Sequence, residues 1–140
     1  MRKRELFAAA LLSCSVLYAQ AAASVWDGIF TESQAKQGGE RYGKACASCH
    51  GDNLEGKGQA PPLAGTEFTS GWNGMTVGDL FEKIQVSMPG DRPGQLSREE
   101  NATILAYILQ ANKFPGGSKE LPVAGDALSK IRFEAARPAK

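Results

Sequence analysis

The stretch "GKACASCHGD", residues 43–52, packs Cys46, Cys49 and His50 into five consecutive positions. They are two of the three cysteines in the chain and its only histidine. Three chemistries use thiols at this spacing. A closed zinc site takes four ligands, usually from two Cys/His clusters, and there is no second cluster here. Carboxylates or a partner would have to complete it. A thioredoxin-like Cys-x-x-Cys expects a βαβ setting, and no strand pattern surrounds this one. The third chemistry is the one for which Cys-x-x-Cys-His is the attachment site, that of c-type haem.

In that reading each thiol adds across a haem vinyl group to form a thioether, and His50 gives the proximal nitrogen to iron. The expectation is one covalently bound haem c per chain, held by Cys46 and Cys49 with His50 as a metal ligand. On a continuous helix Tyr42, Cys46, Cys49 and His50 fall at offsets of 4, 3 and 1, which would put them on one side.

The opening "MRKRELFAAALLSCSVLYAQAAAS" predicts where the chain works. A basic start (Arg2, Lys3, Arg4), an apolar run from Leu6 to about Tyr18 and then small residues are the layout of a secretory signal peptide. The run is shorter than the roughly 20 residues that cross a bilayer, so no transmembrane segment is expected in the mature chain. Residues 1–23 are therefore read as a cleaved signal, with cleavage after Ala21 or Ala23, and the protein as periplasmic. "LLSC" offers a minor alternative, a lipoprotein acylated at Cys14, but the residues after Cys14 still look like signal. Export to an oxidising compartment fits haem attachment. Cleavage after Ala21 removes three of 16 basic and one of 15 acidic residues, leaving a net charge near −1. That balance gives no field for nucleic acid or for an anionic membrane.

Residues 24–34 read as a lead-in, 35–114 as the main domain and 115–140 as a tail. A helix is predicted from a Thr31 or Ser33 cap through His50, despite the cost of Gly38 and Gly39 inside it. Gly51 to Gly74 reads as loop, long enough to be functional or wrapped on something. A second helix is expected from Thr76 or Val77 to Met88, with Leu80, Phe81 and Ile84 at helical spacing. "PGDRPG" stops it. The third, "LSREENATILAYILQANKF", has a Ser97–Glu100 capping box and an apolar face of Ile104, Leu105, Ile108 and Leu109. No convincing strand ladder is present. The fold class is all-α, with three main helices and long loops around the haem. In the tail, "DALSKIRF" could form a short helix. Leu121, Val123, Leu128, Ile131 and Phe133 predict a tail that wraps the domain, the alternative being a docking segment.

Haem iron takes a sixth ligand or leaves a position open. Met75 and Met88 are the soft candidates. Met88 ends a helix, and Pro89 pushes it towards an extended backbone, which could turn its thioether to the iron. Met88 is favoured over Met75 as the distal metal ligand.

From Ala35 to Phe114 the chain resembles the class I monohaem cytochromes c. Gly38, Tyr42 and Cys46 match that family's Gly-x-x-x-aromatic-x-x-x-Cys spacing, and Tyr107 in "ILAYIL" stands where its last-helix aromatic does. The resemblance implies a close crossing of first and last helices at Gly38. "APPLAG" is similar to the family's Pro-x-Leu loop, which implies that the Pro61 carbonyl orients the proximal imidazole and that Leu63 lies in the pocket. Trp72 stands where the family often sets a ring against a haem propionate. The pocket wall is expected to include Leu63, Phe68, Leu80, Phe81, Ile84 and Leu105. The flanking segments look more like exported bacterial cytochromes associated with quinoprotein dehydrogenases.

With His50 and Met88 both on iron, substrate and oxygen chemistry are disfavoured and one-electron cycling remains. The leading expectation is a periplasmic electron carrier, a monomer or a subunit of a redox complex. It would pass electrons from a dehydrogenase or other donor to a respiratory acceptor, through a small, short-lived interface near Cys46 and Cys49. Two others stay open: a haem enzyme or gas sensor with an open distal position, and a zinc- or thiol-based structural module.

Overall fold

The computed structural model describes residues 23–139. The expected signal peptide, apart from Ala23, and Cys14 lie outside the described residues. The chain is mostly helical, and the predicted all-α, cytochrome c-like fold is present: α1 (Glu32–Ala45), α2 (Ala47–His50), α3 (Thr66–Trp72), α4 (Val77–Ser87), α5 (Arg98–Ala111) and α6 (Gly125–Leu128). Two short strands, β1 (Ala23–Ser24) and β2 (Ile131–Arg132), pair in parallel.

Each long helix starts where its side chains satisfy the free N–H groups of a first turn. Thr31 accepts from Gln34 N at 3.1 Å to open α1. Reciprocal capping boxes open α4 (Thr76 with Asp79) and α5 (Ser97 with Glu100). The Thr76 hydroxyl and N–H hold the Asp79 carboxyl below its usual range. At its other end α4 stops at Met88, whose backbone is extended (φ −120°, ψ 151°), the conformation expected before Pro89.

The centre of the fold is the crossing of α1 over α5. Gln34, Ala35, Gly38 and Tyr42 are buried along one stripe of α1. A Cβ built on Gly38 would collide with the Thr103 carbonyl oxygen, so glycine here sets how closely the helices approach. One turn on, the Tyr42 and Tyr107 rings meet at 5.3 Å between centroids. Gly43, in the same helix, faces open space. Gly38→Ala is therefore expected to cost about 2 kcal/mol through forced separation of the helices. Gly43→Ala is expected to stabilise by about 0.5–1 kcal/mol through helix propensity. Urea denaturation of the two variants checks this, and equal effects at both glycines would contradict it.

α5 is buried almost all round. The tail packs on α1 and α4 and meets α5 where Arg98 Nε donates to Val123 O at 2.8 Å. Gln34 grips the tail with both ends of its amide: its Nε2 donates to Leu121 O at 3.2 Å and its Oε1 accepts from Leu121 N at 2.8 Å. Leu128 packs in the core, and the backbone after it lies against Gly78 of α4. Phe133 is fully buried, edge-on to Phe68 and Phe114, and its N–H donates to Met75 O at 2.9 Å. Trp26 Nε1 donates to Glu134 O at 2.8 Å and ties the lead-in to the same segment.

Three details differ from the sequence reading. The first helix does not run unbroken to His50; it breaks at Cys46. The 51–74 loop contains α3. The tail forms only a short helix, α6, followed by a strand paired to the lead-in, rather than one helix through Phe133.

Candidate functional site

Cys46 stands at the break between α1 and α2 (φ −125°, ψ −36°). Its N–H still donates to Tyr42 O at 2.8 Å, and its carbonyl starts α2 by accepting from Cys49 N and His50 N. Cys46, Cys49 and His50 are thus presented by one turn of short helix rather than by one face of a long one. Gly51 turns the chain out of α2 with φ +83°. The Tyr42 hydroxyl fixes that turn by donating to Gly51 O at 2.6 Å, and burial of the ring raises its pKa far above the usual phenol range. Cys49 is exposed, Cys46 half-buried and His50 only 7% exposed.

Both thiols are free of any disulfide. Burial, with the adjacent Cys49 adding, pushes the Cys46 thiol up to about 11. A thiol so shifted is neutral at ordinary pH, the opposite of the lowered value of a reactive redox cysteine. Among the described residues no group of three His, Cys, Asp or Glu side chains is arranged to hold a metal ion.

The imidazole is held from behind. His50 Nδ1 donates to Pro61 O at 2.8 Å, which leaves Nε2 for a metal. Pro61 is fixed in turn by its loop: Leu63 N donates to Leu54 O at 2.8 Å, and Asn112 Nδ2 donates to Leu63 O at 2.9 Å. Asn112 Oδ1 accepts from Gly65 N at 3.0 Å, so the end of α5 clasps the loop from both sides of its amide.

These groups border a cleft of about 700 Å³. Cys46, Cys49, His50, Pro61, Leu63, Phe68, Trp72, Leu80, Ile84 and Met88 all line it. Met75 is 42% exposed and does not. Phe81 and Leu105 do not line it either, and this corrects the expected wall. Leu80 and Ile84 lie four apart and face the cleft, whereas Phe81 is turned about 100° further round α4. Its ring lies under the Arg98 guanidinium, 4.6 Å from the ring centroid. On α5 the lining residues are Ile104 and Ile108, again four apart, in place of Leu105. Ile104 and Ile108 were legible as part of an apolar face, but not as the part that meets the cleft. Asn112 carried no sequence signal for its role.

A large apolar wall, two thiols at the mouth, an oriented imidazole and a thioether suit a flat, apolar, iron-containing macrocycle. Among the described residues no helix is long and apolar enough to cross a membrane.

A family model described as "Cytochrome C oxidase, cbb3-type, subunit III" matches residues 33–108, just over half of the chain. Among solved structures the chain is similar to the sulfane dehydrogenase SoxCD from Paracoccus pantotrophus, at 21% sequence identity and a TM-score of 0.51. The likeness covers 77% of this chain and 61% of the other, so this chain spans less than two thirds of that one, and it speaks for the fold alone. No curated protein matches.

Proposed function

Because the chain belongs to the cytochrome c family described as cytochrome c oxidase, cbb3-type, subunit III, carrying covalently bound haem c for electron transfer, we propose that it is a periplasmic single-electron carrier with His50 and Met88 as axial ligands. The observation that carries this reading is the convergence of Cys46, Cys49, His50 and Met88 on one apolar cleft, with Met75 outside it.

Bound haem supplies one-electron cycling between ferrous and ferric iron. The side chains do the rest. Cys46 and Cys49 tether the macrocycle through thioethers. His50 Nε2 binds iron, and the Pro61 carbonyl fixes the ring and strengthens it as a donor. Met88 supplies a thioether, which favours ferrous iron. Leu80, Ile84, Ile104 and Ile108 exclude water and disfavour the added charge of the ferric state, so ligation and burial both raise the reduction potential. Cys49 is exposed, so a haem tethered there would offer an edge to solvent at which a partner could dock briefly. A dehydrogenase is the proposed donor, of the quinoprotein kind that the sequence resemblance suggests. A respiratory oxidase is the proposed acceptor, in keeping with the family's description.

The ferric optical spectrum of the protein matured in a cytochrome-producing periplasm tests this. A weak far-red charge-transfer band, the mark of sulfur on ferric haem, together with reduction by one electron per chain, is expected. No band and ready uptake of cyanide or carbon monoxide would overturn the ligation and turn the reading to catalysis or sensing.

A further inference from the structure

Fully buried Asn101 spends both amide hydrogens on α4, donating from Nδ2 to Phe81 O at 3.0 Å and to Gln85 Oε1 at 3.1 Å. Its own Oδ1 has no partner. Gln85 in turn donates from Nε2 to Leu96 O at 2.7 Å. This chain of contacts spans the segment that carries Met88. Helix α4 ends one residue before Met88, and the loop that follows is exposed at every position from Gly90 to Gln95. Within it, backbone bonds run over short range, Arg92 N to Pro89 O at 2.9 Å and Gln95 N to Arg92 O at 3.4 Å. The loop leaves the helix at Met88, and Gln85 holds its far end from within the last turn of that helix. Asn101 holds Gln85 from α5.

We propose that Gln85 and Asn101 are positioning residues for the distal ligand, a brace that closes the 89–96 loop and keeps the Met88 thioether on the iron. The brace accounts for the buried Asn101 carbonyl without a partner. A donor group there is retained for its two bonds to α4, at the expense of an orphaned oxygen that an apolar side chain would not leave. The inference rests on the Met88 ligation proposed above. It goes beyond that reading by assigning what limits opening of the iron. Opening would be local, a lifting of one loop, rather than a loosening of the whole core.

The test follows imidazole uptake by the ferric holoprotein at saturating imidazole, where the rate is limited by Met88 leaving the iron. Gln85→Met preserves length and removes both bonds; Asn101→Leu, which removes the orphaned oxygen, is the second variant. Glu82→Gln, which cuts the exposed ion pair between Glu82 and Arg98 on the same helix, is the control. The limiting rate is expected to rise about three- to tenfold in both brace variants, the loss due to a hydrogen bond, and to stay at wild type in the control. Each brace variant should keep its far-red band at equilibrium. Wild-type limiting rates in Gln85→Met and Asn101→Leu, with or without a fall in thermal stability, would overturn the proposal and leave a structural role. Absence of the far-red band from the wild-type protein is a different failure, that of the Met88 ligation itself, and would overturn the brace with it.

Discussion

Replacing Met88 with alanine is expected to abolish the far-red band of the ferric protein, admit small external ligands to the iron and lower the reduction potential. Met75→Ala should leave all three at wild type. The contrast follows from position. Met88 lines the cleft at the end of α4 with its backbone turned out of the helix, whereas Met75 precedes α4 and is 42% exposed. The expected size follows from competition. If the thioether occupies the iron about 99% of the time, its removal raises the apparent affinity for cyanide about a hundredfold. The potential should fall by on the order of 0.1–0.2 V, part of the ~0.8 V over which axial ligands set haem potentials. Spectroscopy, cyanide titration and redox titration of the two variants check these three outcomes. A Met88→Ala protein that keeps its band, or a Met75→Ala protein that loses it, would move the ligand elsewhere.

The residues proposed to carry this chemistry were readable because they are local. Cys46, Cys49 and His50 announce themselves by spacing. Met88 is marked by the proline after it, α4 by its apolar spacing, and α5 by the Ser97–Glu100 capping box that the structure forms. What was not readable depends on geometry that periodicity does not contain. An apolar stripe on α4 says that Leu80, Phe81 and Ile84 are buried, but not that Phe81 turns to Arg98 while its neighbours meet the cleft. The same holds for Leu105 against Ile104. α3 escaped notice because Gly65, at its N-cap, offers no capping side chain and because Phe68 is its only buried residue. The β1–β2 pair joins two-residue strands more than a hundred positions apart, and no local pattern marks so short a pairing. Gln34 and Asn112 act through bonds to distant backbone groups, and their types alone point to an exposed surface.

The tail gives the second large expectation, and it separates wrapping from docking. Leu121, Leu128, Ile131 and Phe133 are all buried, while Val123 is half-buried. Phe133→Ala should destabilise the holoprotein by about 3–5 kcal/mol, the usual loss for a buried phenylalanine. Lys130→Ala, next to the buried strand residue Ile131 but itself exposed, should change stability by no more than about 0.5 kcal/mol. Chemical denaturation followed by far-ultraviolet circular dichroism measures both. A docking segment would behave in the opposite way, with Phe133→Ala leaving stability unchanged and slowing only electron delivery to the partner. The wrapped tail carries a further consequence for the cleft. The Phe133 ring lies 6.1 Å, centroid to centroid, from Phe68, and Phe68 is part of the cleft wall. Removing Phe133 takes away the support behind that wall, so the cost should appear at the iron as well as in the melting curve. The Phe133→Ala protein should take up imidazole faster than wild type, in proportion to its lost stability, whereas the brace variants should do so with little such loss. Loosening from the core and lifting of the distal loop would then be two separable routes to the same open iron.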